Sequence, residues 1–270
     1  RGQRRQRQHL QLAAGGRRAP RIGVYEPWVA NMDAGWTEWV LDAHGSPYTV
    51  IHNDEMRRGG LAGRFDVVVM ASQKAQSILH GVKAGEGTAR GAGPRSQPES
   101  NSMQRPEYTG GIAIEGLAHL AQFVKAGGTL VLLDQATELA SFFPVGVRPV
   151  EAAGYFCPGS LLRIDVDTTE PVAAGMPSQA IAFSSGGPAW EITLLPEQNH
   201  GEQEVRVIAR YARQNLLASG WVSGEKAVVG KPAAVEVKQG AGRLVLFGFR
   251  PQHRGQTFGT FRMLLNAMYR

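Results

Sequence analysis

Leu117–Glu138, LAHLAQFVKAGGTLVLLDQATE, decides the fold. Leu117, Leu120, Ala121 and Val124 recur at the spacing of one helical face, and Gly127-Gly128 supplies a C-terminal stop. Thr129 and four apolar residues follow, Leu130–Leu133, and then the chain turns abruptly polar at Asp134-Gln135-Ala136-Thr137-Glu138. A helix that stops at glycine and feeds a wholly apolar strand is half of a βαβ unit, and a strand without alternation is buried on both faces. The same grammar holds upstream. Arg21–Tyr25 (RIGVY), Tyr48–Ile51 (YTVI) and Phe65–Met70 (FDVVVM) read as strands. Between the first two, Asp33 is placed to cap a helix whose Trp36, Trp39, Val40 and Ala43 fall on one face, assigned here to the core.

The second half changes character. Leu161–Val166, Ala180–Phe183, Val205–Tyr211 and Leu217–Val222 read as strands without long helices between them, and Ala233–Val237 and Arg243–Phe249 flank a Gln239–Gly242 hairpin turn. A last helix carries Phe258, Phe261, Leu265 and Met268 on one face. The expectation is an α/β domain over residues 21–270: a parallel sheet with helices on both faces and β-rich additions in the second half.

The 270 residues carry a net charge of +6, but Arg1, Arg4, Arg5, Arg7, Arg17, Arg18 and Arg21 all precede the first acidic residue, Glu26. The remainder stands at −1, so the basicity belongs to one end and specific nucleic-acid binding is not expected. Residues 1–20 read as a disordered tail or linker, and the Gly/Pro/Ser-rich stretch 81–104 as a mobile loop. No apolar run is long enough to span a membrane, and none resembles a signal peptide. This fits a cytoplasmic chain, or a piece of a longer secreted or periplasmic precursor. Cys157 is the one cysteine, which excludes an internal disulfide and a multi-cysteine metal cluster.

In open parallel sheets the ligand crevice lies beyond the carboxyl ends of the strands. The residues there are Glu26 and Trp28 after the first strand, Ser72 and Gln73 after the third, Asp134 and Gln135 after the fourth, and Arg250, His253 and Arg254 after the last. They are the ligand-binding candidates, and they can equally form a buried network that ties loops down. An acyl-transfer enzyme keeps Ser or Cys on a tight strand-to-helix elbow; here the elbow reads Leu133-Asp134-Gln135-Ala136-Thr137, without nucleophile or flanking glycines. Cys157 with His253 is the remaining catalytic candidate pair. Two textual matches fail on context: Gly240-Ala241-Gly242 lies between strands and lacks the third glycine of a dinucleotide loop, and His52-x-x-Glu55 lacks the third ligand of a zinc site. No cofactor and no metal are expected.

The runs RIGVYEPWVANMDAGWTEWVLDAHGSPYTVIHNDEM (21–56), RPEYTGGIAIEGLAHLAQFVKAGGTLVLLD (105–134), YFCPGSLLRIDVD (155–167) and GRLVLFGFRPQHRGQTFGTFRMLLNAMY (242–269) resemble the region after the catalytic domain in bacterial zinc carboxypeptidases of the carboxypeptidase A type. That region is similar to a class I glutamine amidotransferase-like domain. The resemblance covers residues 21–270 and implies a flavodoxin-like fold and a non-catalytic accessory or ligand-binding role. Gln135 stands at about the place where amidotransferases keep their cysteine, and the zinc ligands belong to a half with no positions here. The partner implied is an upstream zinc carboxypeptidase domain, with a homo-oligomer also open. The alternatives are a stand-alone small-molecule hydrolase or transferase using Cys157 or His253, and a scaffold without ligand.

Overall fold

The computed structural model describes residues 18–28, 31–81, 109–194 and 203–269. The expectations for residues 1–17 and 82–104 lie outside them. The parallel half of the central sheet contains β1 (Ile22–Tyr25), β2 (Tyr48–Ile51), β3 (Val67–Met70) and β4 (Thr129–Leu133). Its helices are α1 (Met32–Ala43), α2 (Asn53–Arg58), α3 (Leu61–Arg64), α4 (Ala75–His80) and α5 (Ala113–Lys125). Beyond them come β5 (Val147–Pro149), β6 (Ser160–Val166), β7 (Gln179–Ser184), β8 (Trp190–Ile192), β9 (Gln203–Tyr211), β10 (Leu217–Ser219), β11 (Pro232–Gln239), β12 (Gly242–Phe247) and α6 (Phe258–Tyr269).

The strand order is β10-β6-β9-β11-β12-β4-β3-β1-β2, with β7 paired to β6, and β5 with β8 forms a separate ribbon. Apart from that ribbon, the second-half strands do not form a separate layer; they extend the same sheet. From β2 to β12 every pairing is parallel, and from β12 through β11, β9 and β6 every pairing is antiparallel. The hairpin turn at Gly240-Ala241 is what reverses the direction between β11 and β12. The antiparallel half also bends back, so that the Arg250 amide, just past β12, donates to the Phe183 carbonyl on β7 at 3.0 Å.

Alternation along each strand divides the core in two. Val24, Val69, Val131 and Phe247 face the layer that holds Leu41 of α1 and Met263, Leu264 and Met268 of α6. Val68, Leu130, Leu132 and Leu246 face the layer of α2–α5, with Met56, Leu120, Phe123 and Val124. Each of these large side chains contributes about 1.5–3 kcal/mol by leaving water. Helices therefore cover both faces, as the sequence suggests.

Two helix faces differ from the sequence reading. The N-cap of α1 is Asn31, whose side-chain oxygen accepts from the amides of Asp33 and Ala34 at 3.0 and 3.3 Å. The buried face of α1 is Asp33, Ala34, Thr37, Val40 and Leu41, while Trp39 is 44% exposed and Ala43 lies outside. The second polar stripe wins the interior because Asp33 and Thr37 have hydrogen-bonding or ionic partners there, described below. On α6, Phe261, Leu265 and Met268 are buried but Phe258 is exposed at the first turn.

Candidate functional site

β3, β4 and β12 are neighbours in register and end together, which brings their following residues to one edge. Asp134, immediately after β4, has φ +50, the left-handed conformation that a strand-to-helix elbow imposes and that non-glycine residues rarely adopt. The elbow residue is thus Asp134. Gln135, assigned there from sequence, is the next residue, half-buried in the 3-10 helical segment Asp134–Phe142.

The Asp134 carboxylate is 1% exposed. Its Oδ2 accepts from Arg250 Nε at 2.7 Å, from Ser72 Oγ at 2.8 Å and, at longer range, from Ser185 Oγ at 3.4 Å. The same guanidinium reaches Asp33 Oδ2 through Nη1 at 3.1 Å. One arginine from the end of β12 is therefore clamped between a carboxylate from β4 and another from the first turn of α1. Burial raises the Asp33 pKa, and Arg250 acts in the opposite sense. The Asn31 amide extends the network to the Ser72 carbonyl at 3.4 Å, and Gln252 Nε2 reaches Thr37 Oγ1 at 3.2 Å and the Asp33 carbonyl at 3.4 Å.

A short loop seals this clamp from above. A Cβ on Gly187 would collide with both Asp134 Oδ1 and the Gly248 carbonyl oxygen, so only glycine fits where the β7–β8 connection crosses the elbow. His253 lies beside it, its ring stacked on Phe183 with centroids 3.5 Å apart and planes 3° from parallel. The His253 pKa is pushed down to about 4, by burial first and then by Arg250 and Arg254, so the ring is neutral at pH 7.

Of the sequence candidates, Asp134 and Arg250 bond directly, with His253 and the exposed Arg254 alongside. Glu26 and Trp28 form another group: the Glu26 carbonyl is bonded to His52 Nδ1 at 2.8 Å, and Trp28 stacks on the His52 ring at 3.8 Å. Gln73 is half-buried, its Oε1 without a hydrogen-bond partner among the described residues. Glu55 of the His-x-x-Glu match accepts from the His52 amide at 3.2 Å and pairs with Arg64 at 2.7 Å; it serves the N-terminus of α2. Among the described residues no group of three or more His, Cys, Asp or Glu side chains is disposed to hold a metal.

Cys157 is 3% exposed, and its thiol donates to the Ser184 carbonyl at 3.3 Å. The groups acting electrostatically on His253 are Arg250, Arg254 and Asp134, with Cys157 not among them. Asp33, read from sequence as a cap, and Ser185 are the clamp members that the sequence reading did not select. The usable signal for Asp33 is Asn31 two positions earlier, a capping residue that leaves an acid inside the first turn. Chemically, the arrangement is a charge-paired network in which Asp134 Oδ1, Gln252 Oε1 and His253 Nδ1 are buried with no hydrogen-bond partner among the described residues. Its arginine is occupied by two carboxylates, and the elbow residue itself, Asp134, carries no thiol or hydroxyl.

No protein-family model matches the sequence, and no curated protein matches it. Solved structures share its fold. The chain aligns with a ThuA-like protein from Bacteroides uniformis at TM-score 0.51 and 11% identity, over 94% of this chain and 93% of that one. A GMP synthase-type protein from Thermoplasma acidophilum aligns at TM-score 0.52 and 12% identity, over 93% and 94%. A β-galactosidase from Bacillus circulans sp. alkalophilus aligns at TM-score 0.50 and 12% identity, where 92% of this chain matches 30% of the enzyme. At these identities the likeness is one of architecture: a mixed α/β chain organised on a large central sheet, of the kind found in ThuA-like and GMP synthase-type proteins.

Proposed function

We propose that the chain is a non-catalytic, amidotransferase-like accessory domain of flavodoxin-like type, serving a larger hydrolase; the sequence resemblance names a zinc carboxypeptidase. The strand order β2-β1-β3-β4-β12 in the parallel half supports the flavodoxin-like description. The observation that carries the function is the elbow. Where amidotransferase chemistry needs an exposed nucleophile, this chain has a buried carboxylate neutralised by Arg250 and covered at Gly187. The β-galactosidase alignment supports the accessory role by analogy, because there a comparable fold occupies under a third of an enzyme chain.

Two measurements test this reading. Purified chain incubated with L-glutamine is expected to release no ammonia above buffer; turnover abolished by Cys157→Ser would establish the hydrolase alternative instead. The reading frame upstream of Arg1 is expected to encode a zinc peptidase domain, and a stop codon followed by a start there would overturn the association.

A further inference from the structure

The outward face of α1 carries apolar side chains where a solvent-facing helix surface is ordinarily polar. Met32 and Trp39, 64% and 44% exposed, stand on one line two turns apart. Trp36 lies beside them, its ring meeting that of Trp39 edge to face at 6.1 Å. Gly35 falls between Met32 and Trp39 on the same line, and a Cβ there would touch nothing within 4 Å. Glycine weakens a helix interior, and nothing in the fold occupies the space it leaves open. The patch continues onto α6. Gly255 lies against the Trp39 ring, and Phe258 follows three residues later, 71% exposed. Phe258 rests on Phe261, which in turn meets His44 at the C-terminal end of α1. Met32, Trp39 and Phe258 together expose on the order of 350 Å², a patch of the size that marks interaction sites on soluble proteins.

Charge is divided across this patch. At about 3.6 residues per turn, Asp33 and Thr37 fall to one side of the Met32–Trp39 line and Glu38 and Asp42 to the other. The first side faces the segment after β12: Arg250 pairs with Asp33, Gln252 bonds Thr37, and Arg254 is exposed next to Gly255. Arg254 is held at φ +50, a left-handed conformation that is costly for a residue other than glycine. On the second side Glu38 and Asp42 accept from the Tyr48 hydroxyl at 3.3 and 3.5 Å. Burial, and then the Glu26 carboxylate, raise the Glu38 pKa. Among the described residues neither Glu38 nor Asp42 forms an ion pair with Lys or Arg, and Arg254 forms none with Asp or Glu.

An apolar strip with acid on one flank and arginine on the other is complementary to its own copy. A two-fold axis lying between two copies and parallel to α1 lays strip on strip and sets the acid flank of each against the arginine flank of the other. The crosswise arrangement sets acid on acid and is disfavoured, so the charges select one pairing. Two strips supply about 700 Å² of the roughly 1,000 Å² that a specific interface needs, and the charged flanks are placed to supply the rest.

We propose that this chain pairs with a second copy of itself through the outward face of α1 and the start of α6. Met32, Trp39 and Phe258 form the centre, Gly35 lets the two helices approach, and Arg254 of each copy meets the partner's Glu38 and Asp42.

Sedimentation equilibrium of the full chain over roughly 1–100 µM tests this, with a mass twice that of one chain expected at the upper end. Phe258→Ser is expected to weaken the pairing at least ~10-fold while leaving the far-ultraviolet circular dichroism spectrum unchanged. Asp42→Arg and Arg254→Glu, each alone, set like charges against each other twice in every pair and are expected to weaken it by a similar factor. Mixed in equal amounts, these two variants again present opposite charges at both contacts, and the double mass is expected to return. A single-chain mass at the highest concentration overturns the proposal and leaves the patch to a different protein. A mass that climbs beyond two chains overturns the closed pair. Pairing that Phe258→Ser leaves untouched overturns the face assigned, and failure of the mixture to restore what each charge variant lost overturns the match of acid to arginine. None of these outcomes depends on whether the domain is catalytic.

Discussion

Arg250 and Asp134, 116 positions apart in the chain, meet at 2.7 Å beneath Gly187 of the β7–β8 connection. Asp33 closes the other side of the guanidinium at 3.1 Å. The contact fixes the ends of two adjacent parallel strands and the start of α1 to one another.

Removing Arg250 leaves two carboxylates, one of them fully buried, without their counter-charge. Arg250→Ala is expected to lower the unfolding free energy by about 3–5 kcal/mol, the range for breaking one side of a buried ion pair. Asp134→Asn should cost less, because the amide keeps an acceptor for Ser72 and Asp33 still holds the arginine. Urea unfolding of both variants checks the order; equal small losses would show that the clamp is not structural.

Gly187→Ala places a methyl group against Asp134 Oδ1 and the Gly248 carbonyl. Since both are buried polar atoms on fixed backbone or in an ion pair, the loop must lift. A loss of about 1–3 kcal/mol, the usual range for forced overpacking, is expected in thermal or urea unfolding.

His253 carries a pH signature. Its folded pKa, about 4, lies below the ordinary histidine value of 6.5. The unfolded chain therefore binds a proton that the folded chain refuses as pH falls below 6.5. The stability associated with neutral His253 is present above that value and is lost as pH falls towards 4. His253→Phe keeps the stack on Phe183 and removes the titration, so its stability should fall less between pH 6.5 and 4 than that of the parent chain. Parallel curves from urea melts across this window would refute the assignment.

Cys157 is expected to resist alkylation. A thiol 3% exposed and bonded to the Ser184 carbonyl should react with a disulfide reagent on the order of 100-fold more slowly in the native chain than in 6 M guanidinium. Stoichiometric labelling of native chain within seconds would return Cys157 to the list of reactive groups.

The apolar strands were legible from sequence because a buried parallel strand has no competing pattern: VVVM and TLVLL can hardly face water. α5 was legible for the same reason, one apolar stripe and one stop. α1 was not, since Trp36-Trp39-Val40-Ala43 and Ala34-Thr37-Leu41 both satisfy the helical period. Hydrophobicity favours the first, whereas the ionic and hydrogen-bond partners of Asp33 and Thr37, visible only once distant strands are placed, favour the second. The candidate site was legible as a set of strand-end residues, and Asp134, Arg250 and His253 do gather. Its division into a clamp and a separate Glu26–Trp28–His52 group was not, because no periodicity encodes which strand ends are nearest. The assignment of the elbow to Gln135 missed by one residue, since only the backbone angle of Asp134 distinguishes them.

The placement of β12 has a consequence for how the protein is made. This strand, the last among the described residues, sits in the middle of the sheet, between β4 and β11. On the ribosome, β1 to β4 emerge first but remain an incomplete sheet with an open apolar edge at β4, and β11 waits with its partner side empty. Both halves are completed by the same late event, the arrival of residues 242–247. Long-range pairing of this kind is slow to form and leaves strand edges exposed to other chains meanwhile. A chain cut short before Gly242 accordingly loses the seam that joins its two halves, and loss of solubility rather than a gradual decline in stability is the outcome expected from the topology.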